Sequence, residues 1–308
     1  MRNLVHIKDY LEHKKKNAST RKRKTLVCLE NGRSTDFIIP SFATGCEIFC
    51  QYCYVSRNRP YGNPLELYTN DDEIWNSIRD HYLTLGNKVP NQCDPVYWTY
   101  DIGESTDCGT PKVIGTTKYF INKFLSETNA KPSFATKLDV SNKFDALPEE
   151  FKNRVRIRTS LMPQHVSTIV EPVTSPIINR ILSIDKLVGK GYEVHINFSP
   201  VIITDTWEQD YIDLFKLVDS NLSDESKKQV KCEVIFLTHS ESLHEAQKDK
   251  VPEVDKLLYN PKLQETKTNL RGSQVLRYRH ASVKKDAIEK FKELVRTYVP
   301  YCKIRYIF

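Results

Sequence analysis

Apolar positions along the chain alternate between short β-prone runs and stretches with helical spacing. Six runs are typical of strands: Asp36–Ser41, Val96–Tyr100, Ser133–Thr136, Arg154–Thr159, Glu193–Val201 and Lys231–Leu237. Helical patterns lie between them, at Asp71–Leu85, Thr116–Glu127, Pro176–Val188 and Trp207–Val218. This alternation predicts an α/β fold with a largely parallel sheet. Six strand–helix units can close most of the way into a partial (β/α)6 barrel of the TIM type, with functional residues at the carboxyl ends of the strands.

The last part of the chain departs from this alternation. It reads as a basic β-prone segment (Gln274–Arg279), a helix (Val283–Tyr298) and a short terminal strand (Lys303–Phe308). We therefore predict three regions: a basic N-terminal segment over residues 1–35, the partial barrel over 36–240, and a C-terminal extension of hairpin, helix and strand over 241–308.

Composition and charge are those of an ordinary globular protein with an excess of basic residues. The 308 residues are 39% hydrophobic and 28% charged, with a net charge of +7. The first thirty residues lack an apolar run, and no apolar stretch is long enough to span a bilayer, so we expect a cytoplasmic protein without a membrane partner. The charge suits a polyanionic partner, although the favoured interpretation of the basic runs Lys14–Lys16 and Arg21–Lys24 is a solvated tail. The sequence does not indicate the oligomeric state.

Three of the eight cysteines lie within eight residues, directly after the first predicted strand. Cys46, Cys50 and Cys53 have the spacing C-x3-C-x2-C. Three thiolates in one loop can bind three irons of a [4Fe–4S] cubane and leave the fourth iron open to a small molecule. A structural zinc site usually has four ligands, and no second C-x2-C pair occurs. Because Cys93 or a histidine can complete a Cys3His set, zinc remains an alternative.

With these residues in view, the chain resembles the radical S-adenosylmethionine (SAM) superfamily. Within it, the chain is similar to the spore photoproduct lyase family from about Asp36 to Phe308. The shared features are Ala43–Cys46, Cys50–Tyr54, Tyr68–Ile74, Ser105–Asp107, Phe134–Lys137, Arg154–Ile157 before Ser160, Glu171–Pro172, Trp207–Glu208, Tyr211, Leu214–Phe215 and Lys303–Phe308. The cysteine motif alone is typical of the superfamily, whereas the co-linear set is much more specific.

The resemblance implies a barrel of the radical SAM type that binds SAM over a [4Fe–4S] cluster. In this family the cluster donates an electron that cleaves SAM, and the resulting 5′-deoxyadenosyl radical takes a hydrogen from the thymine-dimer spore photoproduct in DNA. The implied activity is that of a carbon–carbon lyase in DNA repair. The implied partners are DNA and an electron donor such as flavodoxin or ferredoxin.

The resemblance also assigns residues near the cluster. Thr106, Lys137 and, less directly, Ser160 match positions that contact SAM, while Tyr52 and Tyr54 match aromatics beside the cluster and in the hydrogen-transfer path. From the residues alone, Lys137 is equally compatible with a surface salt bridge, and Thr106 with a helix N-cap.

Two further assignments have structural alternatives. Glu171 and the following proline are interpreted here as a strand-to-helix turn with an acid in the first helical turn. The basic segment with Arg271, Arg277, Tyr278 and Arg279 corresponds to a hairpin that holds damaged DNA in the family. An edge strand can carry the same charges merely to avoid aggregation.

One position departs from the family pattern. Where the family has a cysteine that returns hydrogen to the product radical, this chain has Glu104. A carboxylic acid has a strong O–H bond and cannot simply replace a thiol. Cys108, four residues later, is a candidate donor, although a lone cysteine here is more often a packed residue, and Tyr52 or Tyr54 are others.

Three hypotheses follow from this departure. The first is a lyase acting on the thymine lesion. The second is a radical SAM enzyme acting on a different nucleotide, peptide or small molecule, in which Glu104 binds an amine or acts as a base. The third is a non-catalytic nucleic-acid-binding protein stabilised by a metal.

Overall fold

The fold is built on short strands that follow one another along the chain. The structure, a computed structural model, describes residues 19–48, 50–53, 55, 65–269 and 272–308. The strands in these ranges are β1 (Ser19–Arg21), β2 (Leu29–Glu30), β3 (Phe37–Ile38), β4 (Ala43–Thr44), β5 (Glu66–Tyr68), β6 (Thr99–Asp101), β7 (Lys131–Thr136), β8 (Arg156–Ser160), β9 (Glu193–Val201), β10 (Lys231–Phe236), β11 (Thr238–Ser240), β12 (Gln264–Thr268), β13 (Gln274–Tyr278) and β14 (Lys303–Ile307).

An eight-stranded sheet forms the centre of the molecule, in the order β14-β10-β9-β8-β7-β6-β3-β2. Neighbouring strands are parallel, except that β2 and β3 are antiparallel. The six strands predicted from the sequence correspond to β3, β6, β7, β8, β9 and β10. The α/β class and the partial barrel are therefore confirmed, with β2 and β14 added at the two edges. The terminal strand, expected in an appended element, pairs with β10.

Helices alternate with the strands along the chain. Their bounds are α1 (Asp71–Thr84), α2 (Ile114–Glu127), α3 (Gln164–Val170), α4 (Ile177–Gly189), α5 (Trp207–Asn221), α6 (Asp224–Gln229), α7 (Glu241–Gln247), α8 (Pro252–Leu258) and α9 (Lys285–Tyr298), with a 3-10 turn at Glu149–Phe151 and a π-helical turn at His280–Lys284. The predicted apolar stripe of α4 is buried, and this helix packs on β8 and β9. No helix in the described ranges is long and apolar enough to cross a membrane.

Ion pairs fill part of the barrel interior. Arg158 Nη2 donates to Asp101 Oδ2 at 2.5 Å, and Arg158 Nη1 to Glu233 at 3.4 Å. Arg305 in β14 donates to the same glutamate at 2.5 Å, which ties the edge strand to the interior. Because side chains alternate along a strand, the face of β8 that carries Arg158 also carries Ser160 at the carboxyl end. The polar interior therefore continues to the end of the barrel where function is expected.

A small sheet lies beside this end, in the order β1-β5-β4. Arg21 and Arg23 both donate to the hydroxyl of Tyr68, at 3.3 and 3.1 Å, and their guanidinium groups lie over its ring. Arg21 and Arg23 are therefore held by Tyr68 and not part of a tail without partners, although the Arg21 side chain remains solvated, with 61% of its surface exposed. Lys14–Lys16 lie outside the described residues.

The predicted hairpin belongs to a third sheet, in the order β11-β13-β12, with antiparallel pairing throughout. The predicted division at residues 35 and 240 stays a proposal, since the eight-stranded sheet draws strands from all three regions.

Candidate metal centre and active site

The three clustered cysteines lie in the loop that follows β4. Gly45 has φ of +88°, a conformation that favours glycine and lets the chain turn sharply out of the strand. Cys50 is buried, whereas Cys46 and Cys53 are partly exposed. The Cys53 amide donates a hydrogen bond to the Cys50 carbonyl at 3.1 Å. Earlier in the loop, the Ile48 amide donates to Cys46 Sγ at 3.4 Å. The loop thus presents three thiols from one compact turn.

Charge and burial act together on the central thiol. Burial raises the pKa of Cys50 well above its usual range, the Lys137 ammonium opposes the rise, and the Glu171 carboxylate and the two other thiols add to it. Cys46 and Cys53 thus both lie close enough to Cys50 for their charges to disfavour its thiolate. A positively charged metal centre relieves this repulsion, because metal binding deprotonates thiols.

The donor set fits an iron–sulfur cubane. Each thiolate of a C-x3-C-x2-C set binds a different iron of a cubane, so the three sulfurs need not meet at one point. A structural zinc site would require a fourth ligand beside the three cysteines.

Lys137 lies at the carboxyl end of β7, close to the cysteine loop. Its Nζ is 3.9 Å from Glu171 Oε1 and 5.9 Å from the centre of the Tyr52 ring. Burial lowers the pKa of Lys137, but the Glu171 carboxylate and the Cys50 thiol outweigh burial, so the net shift is upward. The side chain is an ammonium group at the edge of the site, and the alternative of an ordinary surface salt bridge is wrong because Glu171 is buried.

Two predicted SAM contacts carry hydroxyl groups that lack partners. Thr106 and Ser160 are buried, and neither side-chain oxygen has a hydrogen-bond partner among the described residues. The same holds for Oδ1 of Asn197, which is opposite Ser160 in the ladder of β8 and β9. A polar ligand bound at this end of the barrel would supply hydrogen-bond partners for these three atoms. The N-cap alternative for Thr106 is wrong, because the next helix begins at Ile114.

Asp107 fixes the loop that carries Thr106. Its Oδ1 accepts from the Thr136 hydroxyl at 2.7 Å and from the Gly109 amide at 2.8 Å, and its Oδ2 accepts from the Lys137 amide at 2.9 Å. A Cβ on Gly109 would lie 2.6 Å from a Val140 methyl group, so only glycine fits this turn. The carboxylate therefore joins the loop after β6 to the end of β7. Sequence reasoning matched Asp107 to the family motif but assigned it no role.

Glu171 is a site residue whose assignment from the sequence was wrong. It follows the short helix α3, so it is not a first-turn acid after a strand. Its carboxylate accepts a hydrogen bond from the Tyr52 hydroxyl and pairs with the buried guanidinium of Arg180 at 3.0 Å. A buried glutamate requires such partners, but the sequence contains no local signal that pairs it with Tyr52, 119 residues earlier.

The candidates for hydrogen transfer differ in exposure. Glu104 is exposed. Cys108 is completely buried in the hydrophobic core, with its Sγ directed to the Ile102 carbonyl at 3.6 Å. Burial and the neighbouring Asp107 carboxylate raise its pKa well above the usual range. The placement is that of a packed residue, so it does not support Cys108 as a donor. Tyr54 lies outside the described residues.

The hairpin presents fewer groups to a ligand than its sequence suggests. Arg277 is exposed on β13. Tyr278 is only 4% exposed, and its hydroxyl accepts from the Ile203 amide at 2.8 Å, so its assignment as a DNA contact is wrong. The guanidinium of Arg279 donates to the Pro261 and Lys262 carbonyls instead of facing outward. Arg271 lies outside the described residues.

A three-cysteine loop beside the carboxyl end of a partial parallel barrel, with unpaired buried hydroxyls next to it, defines the radical SAM class. The model of the spore photoproduct lyase family matches residues 5–308, and the chain belongs to that family. Members of the family use a [4Fe–4S] cluster and SAM. The family resemblance drawn from the motifs is therefore confirmed.

Individual relatives agree with this assignment. The chain is 29% identical over 218 residues to spore photoproduct lyase of Bacillus subtilis (strain 168), which covers 69% of this chain and 59% of the relative. It is 28% identical over 200 residues to spore photoproduct lyase of Geobacillus sp. (strain Y412MC61), which covers 63% of this chain and 54% of the relative. The matched region thus spans less than two thirds of these relatives.

Solved structures confirm the fold. Spore photoproduct lyase complexed with dinucleoside spore photoproduct superposes with a TM-score of 0.82 at 20% identity, covering 98% of this chain and 85% of that one. A variant of the lyase with bound AdoMet and dinucleoside spore photoproduct gives a TM-score of 0.82 at 19% identity, with the same coverage.

Proposed function

We propose that this protein is a radical SAM enzyme whose cluster is bound by Cys46, Cys50 and Cys53. The observation that carries the proposal is the pair of buried, unpaired hydroxyls of Thr106 and Ser160 at the end of the barrel beside the cysteine loop. A cluster held by these cysteines, together with SAM, would supply the radical chemistry needed to abstract a hydrogen atom from a substrate.

The residues of the chain hold and orient the cofactor. The Lys137 ammonium pairs with the carboxylate of SAM, since its contact to Glu171 at 3.9 Å is longer than a hydrogen bond and leaves its N–H groups available. The hydroxyls of Thr106 and Ser160 bind polar atoms of SAM and thereby gain the partners they lack. Burial of Cys50 would keep water away from its thiolate when a cluster is bound.

We propose the thymine-dimer spore photoproduct in DNA as the leading substrate. The family assignment supports this substrate, and the net charge of +7 suits a polyanion. The exposed Arg277 on the hairpin provides a phosphate contact. In this proposal the enzyme breaks the carbon–carbon bridge between the two bases, and the C-terminal region from residue 241 holds the DNA. A small electron-transfer protein such as flavodoxin or ferredoxin, in the cytoplasm, supplies the electron.

Glu104 favours a second candidate, a radical SAM reaction on a different nucleotide, peptide or small molecule. The carboxylate is exposed at the position where the family has its hydrogen-donating cysteine. It can bind an amine or take a proton from a substrate, which are roles that a thymine lesion does not need.

SAM cleavage tests the enzyme proposal directly. The protein is reconstituted anaerobically with iron and sulfide, reduced with dithionite and given SAM, and 5′-deoxyadenosine is measured. Wild type should form it, whereas Cys50→Ala should lose both the cluster and the product. Cys28→Ala, which changes a cysteine outside the loop, serves as the control. A wild type that holds a cluster but forms no 5′-deoxyadenosine rejects both enzyme candidates.

DNA containing spore photoproduct separates the two candidates. If the lesion is the substrate, it should stimulate SAM turnover and yield thymine, while undamaged DNA of the same sequence should not. An identical rate with both DNAs would favour the second candidate.

A further inference from the structure

Glu171 contacts the cysteine loop and the proposed SAM site at the same time. Its side chain is 1% exposed. One carboxylate oxygen accepts the hydroxyl hydrogen of Tyr52, the residue directly before Cys53, and lies 3.9 Å from Lys137 Nζ. The other oxygen pairs with Arg180 Nη2 at 3.0 Å. A single carboxylate thus contacts side chains from three separate elements.

Arg180 fixes the position of this carboxylate. The guanidinium, itself fully buried, donates to the main-chain oxygens of Ser175 at 2.7 Å and of Ser160 at 3.0 Å. Because Ser160 carries one of the unpaired hydroxyls, the guanidinium joins Glu171 to the end of β8. The planar donors of an arginine hold several acceptors in a fixed arrangement.

We infer that Glu171, held by Arg180, is a positioning residue that orients Lys137 and Tyr52 for SAM binding. The inference rests on the proposed function and deepens it. Two cations, Lys137 and Arg180, face the Glu171 carboxylate. The oxygen that accepts from Tyr52 lies 3.9 Å from the Lys137 ammonium, and the other oxygen pairs with Arg180. The charge of Glu171 keeps the flexible lysine side chain at the mouth of the site, with its remaining N–H groups free for an incoming anion.

The same contact defines the role of Tyr52. Its O–H group is directed at Glu171, so the phenolic hydrogen does not point toward a substrate. Tyr52 therefore holds the cysteine loop against α3 and α4 and is not the hydrogen donor of the reaction. The ring remains available as a wall beside the cluster.

The test compares SAM affinity with cluster content. Wild type, Glu171→Gln and Lys137→Ala are reconstituted anaerobically, iron and sulfide are counted, and SAM is titrated while the EPR spectrum of the reduced cluster is recorded. Glu171→Gln keeps the shape and an acceptor for Tyr52 but loses the charge. We expect full iron content and roughly tenfold weaker SAM binding, as for the loss of one charge-assisted contact. A double variant that combines Glu171→Gln with Lys137→Ala should bind SAM no more weakly than Lys137→Ala alone, because both changes act through the Lys137 ammonium.

Glu233→Gln provides the matched control. Glu233 is another fully buried glutamate paired with arginines, but it lies among the ion pairs of the barrel interior. Glu233→Gln should lower the thermal stability of the protein and leave its affinity for SAM unchanged. An unchanged SAM affinity in Glu171→Gln, or additive losses in the double variant, would overturn the inference.

Tyr52→Phe keeps the inference testable if Glu171→Gln fails to fold. This variant removes only the hydroxyl. It should weaken SAM binding a fewfold and keep formation of 5′-deoxyadenosine and of product in the same ratio as wild type. A selective loss of product would instead identify Tyr52 as the hydrogen donor and overturn its assigned role. If wild type itself does not bind SAM, the proposed function fails and not this inference alone.

Discussion

Arg158 in β8 reaches across β7 inside the barrel and donates to Asp101 in β6 at 2.5 Å. The same guanidinium contacts Glu233 in β10. The Arg158 guanidinium therefore links strands that are not neighbours in the sheet, which holds the curvature of the sheet. Its positive charge also offsets the charges of the two buried carboxylates.

Removing this guanidinium should destabilise the fold strongly. Arg158→Ala leaves two buried carboxylates short of a partner, and breaking a buried pair in this way costs about 3–5 kcal/mol. Urea unfolding should show a loss of that size. Arg79→Ala, at an exposed ion pair on α1, is the control and should change stability by less than about 1 kcal/mol. A loss of that small size in Arg158→Ala would mean that the interior pairs are solvated.

His195 in the same interior predicts a dependence of stability on pH. Burial lowers the pKa of His195 to about 4, although the Glu193 carboxylate, 2.9 Å away, opposes the shift. The unfolded state takes up the proton near pH 6.5 and the folded state only near 4. The contribution of His195 to the free energy of unfolding is therefore complete above pH 6.5 and decreases by roughly 3 kcal/mol as the pH drops to about 4.

This window can be measured by urea unfolding between pH 7 and 4, with wild type compared against His195→Gln. The variant should lose less stability than wild type over this range. Equal slopes would show that groups other than His195 cause the acid sensitivity.

Much of the fold follows from the sequence, for reasons visible in particular strands. The strand Glu193–Val201 is marked by apolar residues at alternate positions, and α4 by its stripe of isoleucines. Cys46, Cys50 and Cys53 are close in sequence, so their spacing alone indicates a shared site. Glu171 could not be found in this way, because Tyr52 lies 119 residues earlier and a charged residue after a short helix resembles an ordinary turn. Arg180, nine residues from Glu171, carries no local signal that separates it from other charged residues of α4.

Lys137→Ala should weaken SAM binding without affecting the cluster. The ammonium lies beside the cysteine loop, 3.9 Å from Glu171 Oε1 and 5.9 Å from the centre of the Tyr52 ring. Loss of one charge-assisted contact corresponds to roughly 10- to 100-fold in affinity. Equilibrium binding to the reconstituted protein measures this, with Lys112→Ala, an exposed lysine near the same loop, as the control. Affinity equal to that of wild type would remove Lys137 from the site.

Arg277→Glu should reduce the affinity for DNA and its dependence on salt. The side chain is exposed on the hairpin, whereas Arg279 is occupied by main-chain carbonyls. If Arg277 contacts one phosphate, the slope of log affinity against log salt should fall by about 1. Fluorescence anisotropy at several salt concentrations measures the slope, and Lys292→Glu on α9 is the control. Equal slopes for wild type and Arg277→Glu would place the DNA on another surface.

Glu104→Cys tests whether this chain has lost a hydrogen donor of the lesion-repair reaction. A thiol has a weaker bond to hydrogen than a carboxylic acid, so it can return a hydrogen atom to a thymine radical after the carbon–carbon bridge breaks. We expect the variant to convert spore photoproduct in DNA to thymine severalfold faster than wild type, with less SAM consumed for each thymine formed. Glu104→Ser is the control, because it removes the carboxylate without supplying a donor thiol. If the cysteine variant gains nothing over the serine variant, the donor lies elsewhere in the chain. If both variants lose thymine formation that wild type shows, the Glu104 carboxylate itself serves the repair reaction.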